Sequence, residues 1–185
     1  MQFFEGECYH LFNRTNNEER LFKEPENYRY LLERYRYYLR ADVATLAYCL
    51  MPTHFHFAVR VITPEQDRIR RHIATLLSAY TKAVNVRYDC HGSLFQPRTK
   101  AKHINDELHL LQVVRYIHCN PPSPREWQYS SFAELAGRTR TTLVDRSFWL
   151  ERFGTMAEVL EALDPGGEGK ERSQASNFED STEDV

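Results

Sequence analysis

The chain has 185 residues, 42% of them hydrophobic and 13% aromatic, with a formal net charge of −2 at neutral pH. That length and apolar mass suit one globular domain with its own core and leave no room for a second full domain. No apolar run approaches the roughly 20 residues that a membrane span needs, and the first ten residues, MQFFEGECYH, lack a basic stretch followed by a hydrophobic one; a cytoplasmic protein without membrane contact is expected.

Residues 7–15, ECYHLFNRT, alternate apolar and polar and read as a first strand ended by Asn16 and Asn17. Pro25 opens a helix over 25–41, in which Tyr28, Leu31, Leu32, Tyr35, Tyr38 and Leu39 recur at spacings of three and four. Residues 43–50, VATLAYCL, are β-branched and aromatic enough for a second strand. Met51, Pro52 and Thr53 turn it into a third, so 43–62 is a hairpin. A long helix follows over 64–89, with Ile69, Ile73, Leu76, Leu77, Tyr80 and Val84 along one side and Arg68, Arg70, Arg71, Lys82 and Arg87 supplying positive charge. The looped segment 90–104 ends in a short strand around 100–104. Residues 105–120 form a last core helix, with Asn105 as its cap, Glu107 in its first turn and Pro121-Pro122 as its stop. Residues 141–163 read as one more helix, either capping the domain or offering an interaction surface.

The charge is unevenly spread. Residues 154–185 hold nine acids against two bases, leaving 17 acids and 22 bases in residues 1–153. A basic body suits a polyanion, although a mildly basic domain with a solvated tail would read the same way. The organisation expected is a folded domain over 1–153, the end of the C-terminal helix at 154–163 and an acidic disordered tail at 164–185. The four cysteines, Cys8, Cys49, Cys90 and Cys119, contain no C-x-x-C pair and read as reduced, mostly buried thiols.

Strand, helix, strand, strand, helix, strand and a further helix is the order of an α+β, ferredoxin-like (split β-α-β) fold, an antiparallel four-stranded sheet with helices on one face plus a C-terminal helix. Such a fold hosts RNA readers, metal chaperones and small enzymes alike, so function has to come from side chains.

The stretch MPTHFHFAVR, 51–60, places His54 and His56 two apart in a strand. Their rings then share one face while Phe55 and Phe57 occupy the other. Spacing alone fits a metal-binding pair and a pair of hydrogen-bonded histidines equally well. The last core helix carries Tyr116 and Asn120 four apart, on one face and one turn from each other. An amide oxygen is a hard ligand suited to Mg²⁺ or Mn²⁺, and two imidazoles plus an amide leave coordination positions open for substrate oxygens. The bland alternative makes Tyr116 a core aromatic and Asn120 an ordinary helix stop before proline.

Four segments in order, AYCLMPTHFHFAVR, YTKAVNVRYDCHGSLFQPRTKAKHI, VVRYIHCNP and WQYSSF, resemble the single-tyrosine HUH transposases, in particular the branch of REP-associated tyrosine transposases. The resemblance runs from Tyr9 to about Phe132 and more weakly to Phe153. It implies that His54 and His56 are metal ligands, that Tyr116 is the nucleophile, that Asn120 completes the site and that the ion is Mg²⁺ or Mn²⁺. It implies cleavage and rejoining of single-stranded or hairpin DNA through a 5′-phosphotyrosine. Two departures stand out: Thr53 occupies a place where the family usually has Asn, and the chain passes from Pro121 to Trp127 without the family's longer, glycine-containing turn. Relatives of the REP branch can be monomers where insertion-sequence relatives are dimers, and a monomer is the expectation here.

A phenol ionises near pH 10, so Tyr116 needs help at neutral pH. His118 would point about 200° away from it on a helix, which leaves His10 on the first strand as a possible accessory group. Arg14, Lys82, Arg87, Arg98, Lys100 and Lys102 are candidates for contacts to the DNA backbone, and Phe95 or Tyr88 for base stacking. The main rival is a non-catalytic DNA-binding protein of the same fold, which would have no use for His54, His56, Tyr116 and Asn120 together. A water-attacking hydrolase would need an acid near the histidines, and only Glu65 lies within ten residues of His56, with Asp42 twelve before the pair.

Overall fold

The computed structural model describes residues 2–16 and 19–166 and the backbone of 183–184. The elements in chain order are β1 (Cys8–Arg14), α1 (Pro25–Leu39), β2 (Val43–Met51), β3 (His54–Val61), α2 (Gln66–Tyr88), β4 (Lys100–Ile104), α3 (Glu107–Cys119), α4 (Ser131–Leu135), α5 (Arg146–Phe153), α6 (Met156–Ala162) and the two-residue β5 (Glu183–Asp184). The strands form one antiparallel sheet in the order β2-β3-β1-β4-β5, with β5 a short addition at the edge of β4. The first four strands have the ferredoxin-like arrangement expected from the sequence. The acidic tail expected over 164–185 otherwise lies outside the described residues beyond Gly166.

Alternation along β1 and β3 gives the sheet two unlike faces. On one, α1 and α2 pack together over aromatic side chains: Tyr35 stacks on Phe57 with ring centroids 4.2 Å apart, and Phe95 meets Phe55 at 5.9 Å and Tyr80 at 6.0 Å. The other face is crossed by α3, which runs against β2, β3 and β4. Helices therefore lie on both faces, the first two on one and the last core helix on the other. The cap of α3 is Asp106, whose carboxylate accepts the His109 backbone N–H at 2.8 Å, one residue beyond the Asn105 expected.

β2 is apolar but for Thr45 because helices cover it, with α3, α4 and α5 all against it. Its register against β3 slips between Thr45 and Ala47, and the Leu46 carbonyl accepts the Trp149 indole N–H at 2.9 Å. The single helix expected over 141–163 is two helices. Gly154, at φ 83°, turns the chain out of α5, and a capping box of Thr155 and Glu158 starts α6. Val159 and Leu163 are buried beneath α6, so this segment caps its own domain. The thiols are less buried than expected: only Cys49 is fully enclosed, Cys90 is exposed, and Cys8 and Cys119 lie between. Among the described residues no helix is long and apolar enough to cross a membrane.

The short link after Pro121 folds into a turn in which the Ser123 carbonyl accepts the N–H groups of Glu126 and Trp127. It delivers the next segment to the free edge of β2: the Trp127 indole donates to the Leu50 carbonyl at 2.9 Å, the Leu50 N–H to the Tyr129 carbonyl at 2.9 Å, and the Ser131 hydroxyl takes the Tyr48 N–H at 2.8 Å. The Tyr129 ring stacks on Tyr28 at 3.7 Å. A connection this short is enough to seat the segment.

Candidate active site

β3 presents His54 and His56 on the face covered by α3, and the pairing of β1 with β3 and β4 adds Arg14, His10, Lys100 and Lys102 to the same face. Tyr116 and Asn120 come down on it from the last two turns of α3. The Tyr116 ring stands edge-on to His56 at 5.5 Å and to His10 at 5.9 Å, measured between centroids. His54 Nε2 lies 3.1 Å from Asn120 Oδ1. The Asn120 amide nitrogen donates back to the Tyr116 carbonyl one turn earlier at 3.2 Å, and that bond leaves the amide oxygen facing His54. The structure thus brings together His54, His56, Tyr116 and Asn120, and sets His10, the accessory candidate, beside them.

Hydrogen bonding separates the two histidines. His54 is half-buried and has both ring nitrogens engaged, Nε2 with Asn120 and Nδ1 with the Thr53 hydroxyl at 3.0 Å. A hydroxyl both donates and accepts, so Thr53 can partner either tautomer of His54. The departure at position 53 thereby keeps a group capable of holding the ring. His56 is fully buried, its Nδ1 is 2.9 Å from His10 Nε2, and its Nε2 has no partner. Burial, reinforced by the neighbouring His10 and His54, holds the His56 pKa well below the ordinary imidazole value, so the ring is neutral at pH 7. A buried neutral imidazole with an unpartnered nitrogen carries a desolvation cost unless something binds there.

This donor set fits a hard divalent cation. Among the described residues no cluster of three or more His, Cys, Asp or Glu is arranged to hold a metal, so a cation here would draw on an oxygen beside the two imidazoles. The Asn120 carbonyl supplies that oxygen, and the 3.1 Å between it and His54 Nε2 is about the separation of adjacent ligands around an ion with ~2.1 Å bonds.

His10 stands against the site but not as a partner of Tyr116. Its Nε2 is taken by His56, and burial first, with Lys102 and His109 adding to it, lowers its pKa to about 3. A group that weakly basic accepts little proton density from a phenol. His118 faces elsewhere, as its position on the helix implied: Nδ1 lies 3.0 Å from the Leu163 carbonyl and Nε2 2.7 Å from the Ser131 hydroxyl, so the imidazole ties α3 to α4 and to the end of α6.

The candidates for DNA contact divide by face. Arg14 is exposed beside His54, while Lys100 and Lys102 are half-buried at the β4 edge of the His face. Lys82 and Arg98 line a cleft of about 1120 Å³ between α2 and the 90–99 loop, on the other side of the sheet from Tyr116. Arg98 sits there with φ at 63°, in the left-handed region. Arg87 is ion-paired to Glu24, and the Tyr88 hydroxyl donates to the same carboxylate at 2.6 Å. Phe95 is a correction: it is 4% exposed and packed between Phe55 and Tyr80, so it has no face on which a base could stack. Neither acid considered for a hydrolase reaches the histidines, since Asp42 is buried against Arg68 and His72 at the far end of β2 and Glu65 bonds Arg68 at the start of α2. Two features escape sequence reasoning, the His10–His56 contact and the Thr53 hydroxyl on His54; both depend on cross-strand register and ring orientation, which composition does not encode.

No family model and no curated protein matches the chain. Its fold is similar to that in a solved structure of a REP-associated tyrosine transposase bound to a REP hairpin, with a TM-score of 0.62 and 16% identity over 77% of this chain and 87% of that chain.

Proposed function

We propose that this chain is a REP-associated-type HUH tyrosine transposase, a divalent-metal-dependent enzyme that cuts and rejoins single-stranded, hairpin-forming DNA. The observation that carries the proposal is the meeting of His54, His56, Tyr116 and Asn120 from β3 and α3 on one sheet face, with an unpartnered buried nitrogen on His56. The likeness to a solved transposase supports it at the level of fold.

His54, His56 and Asn120 would hold Mg²⁺ or Mn²⁺, which when bound draws negative charge from the scissile phosphate and favours its transition state. The half-buried Tyr116 phenol, edge-on to His56, would attack phosphorus in line. The phosphorus–O3′ bond breaks, the proton lost by the phenol is balanced by one gained on the departing 3′-oxygen, and a 5′-phosphotyrosine remains. Because one phosphoester replaces another, a 3′-hydroxyl of a second DNA end can reverse the step and join strands without ATP. Arg14, Lys100 and Lys102, on the same face, would bind the DNA backbone. The C-terminal helices close over their own core, which supports a monomer as the working unit.

The test is incubation of the protein and of Tyr116→Phe with labelled hairpin DNA from the flanks of its own gene, with Mn²⁺, Mg²⁺ or chelator, followed by a denaturing gel. A covalent adduct that needs metal and disappears in Tyr116→Phe is the expected result. DNA binding with no adduct under any condition would instead favour the non-catalytic DNA-binding reading.

A further inference from the structure

Two buried imidazole nitrogens on the α3 side of the sheet have no partner, His56 Nε2 and His10 Nδ1, and they are the outer ends of one short chain. Between them His56 Nδ1 and His10 Nε2 are 2.9 Å apart, diagonally across β3 and β1. Both residues are 1% exposed, and both rings stack against Phe12, at 4.8 Å for His10 and 5.7 Å for His56. One proton occupies the central contact, because two neutral imidazoles joined nitrogen to nitrogen must place a donor on one side and a lone pair on the other.

Only two arrangements satisfy that condition. If His10 Nε2 carries the proton, His56 Nδ1 accepts it and His56 Nε2 must be N–H, useless to a cation. If His56 Nδ1 carries the proton and donates to His10 Nε2, then His56 Nε2 is a bare lone pair, on a ring whose centroid is 5.1 Å from that of His54. Ligation by His56 is compatible with the second arrangement alone.

We infer that His10 is a positioning residue: by accepting a hydrogen bond from His56 Nδ1 it holds His56 in the tautomer that exposes Nε2 for a divalent cation. The inference rests on the metal-centre reading above and assigns His10 no contact with metal or DNA. It differs from a role as proton acceptor for Tyr116, because a neutral His10 that accepts on Nε2 carries its proton on Nδ1 and has no lone pair left for the phenol. It also accounts for the asymmetry of the pair. His54 has a hydroxyl partner, Thr53, that follows either tautomer, whereas His56 has an imidazole partner inside the core.

The experiment compares the wild type with His10→Phe and His10→Gln. Phenylalanine keeps an aromatic ring against Phe12 but has no acceptor, and the glutamine amide oxygen can reach about where His10 Nε2 stands. Two readouts apply: ¹⁵N–¹H correlation of the histidine rings in chelator-treated protein, and Mn²⁺ uptake followed by electron paramagnetic resonance. We expect His56 of the wild type to carry its proton on Nδ1, His10→Phe to populate the Nε2–H tautomer and to bind Mn²⁺ about 10- to 100-fold more weakly, and His10→Gln to recover part of both. A wild-type His56 protonated on Nε2 overturns the inference, as does Mn²⁺ uptake by His10→Phe at the wild-type level. Failure of the wild type to take up Mn²⁺ would instead overturn the metal centre itself, and the inference would fall with it.

Discussion

The two faces of the β1–β3 pair are built from alternate residues of the same strands, yet they obey opposite rules. The α1–α2 face is filled: Phe55, Phe57 and Val59 are at most 4% exposed, and the two phenylalanines meet Tyr35 and Phe95 ring to ring. The α3 face, one residue out of step, buries His10 and His56 just as deeply but leaves a nitrogen of each without a partner. Apolar rings stabilise wherever they are enclosed, while an imidazole stabilises only when both nitrogens are satisfied. A face that gives up that stability at two adjacent positions has the character of a site, and the other has the character of a core.

The largest effects should come from substitutions that exchange these roles. His56→Phe is expected to abolish phosphotyrosine formation while moving unfolding stability by no more than about 1 kcal/mol, since it removes one orphan nitrogen and strands another, His10 Nε2. Phe57→Ala, the next residue, should do the reverse. It removes a ring that stacks on Tyr35 and leaves a cavity, at a cost of about 3–5 kcal/mol, and adduct formation per folded molecule should persist. Denaturant unfolding and a denaturing gel on the same two preparations test both. A His56→Phe protein that unfolds as readily as Phe57→Ala would mean that the His face also serves as core.

How much of this is legible in the sequence follows the same division. Period-two alternation through 54–61 and the three-four spacing of 25–39 and 66–88 encode which face is apolar, so the sheet order and the α1–α2 layer follow from pattern. His54, His56, Tyr116 and Asn120 are legible as pairs two and four apart, and the resemblance joins the pairs. Phe95 misleads because an aromatic beside glycine and proline in a loop looks exposed, whereas tertiary packing carries it into the core. The break at Gly154 and Thr155 is present in the letters as a glycine followed by a capping box, but the apolar residues on either side mask it. The His10–His56 contact is out of reach, because it needs register and rotamer together.

The third buried imidazole sharpens the comparison on the scale of stability. Burial lowers the His118 pKa to about 4 in the fold, against about 6.5 in the unfolded chain. Below pH 6.5 the unfolded chain takes up a proton that the folded chain refuses, so stability is full above that pH and declines as the pH falls. The decline is about 1.4 kcal/mol per pH unit until about pH 4, roughly 3 kcal/mol in all. His118→Asn keeps a donor for the Leu163 carbonyl and removes the titration. In chelator-treated protein its denaturation midpoint should vary less between pH 6.5 and 4 than that of the wild type, by one proton's worth of slope. Equal slopes would mean that His118 is solvated in the native state.

The smallest expected effect asks which face the DNA follows. Lys102 shares its face with His10 and Tyr116, whereas Lys82 lines the cleft beneath α2 on the far side. Removing one lysine–phosphate pairing from a bound single strand lowers the slope of log affinity against log salt by about 0.7. Lys102→Ala should therefore flatten the salt dependence of binding to single-stranded hairpin DNA by about that much, and Lys82→Ala should leave it unchanged. Fluorescence anisotropy between about 50 and 200 mM salt spans enough range to see the difference. If Lys82→Ala flattens the slope as well, the strand must wrap from the His face round the edge of β4 into the cleft. The filled face of the sheet would then serve as scaffold on its inside and as DNA surface at its rim.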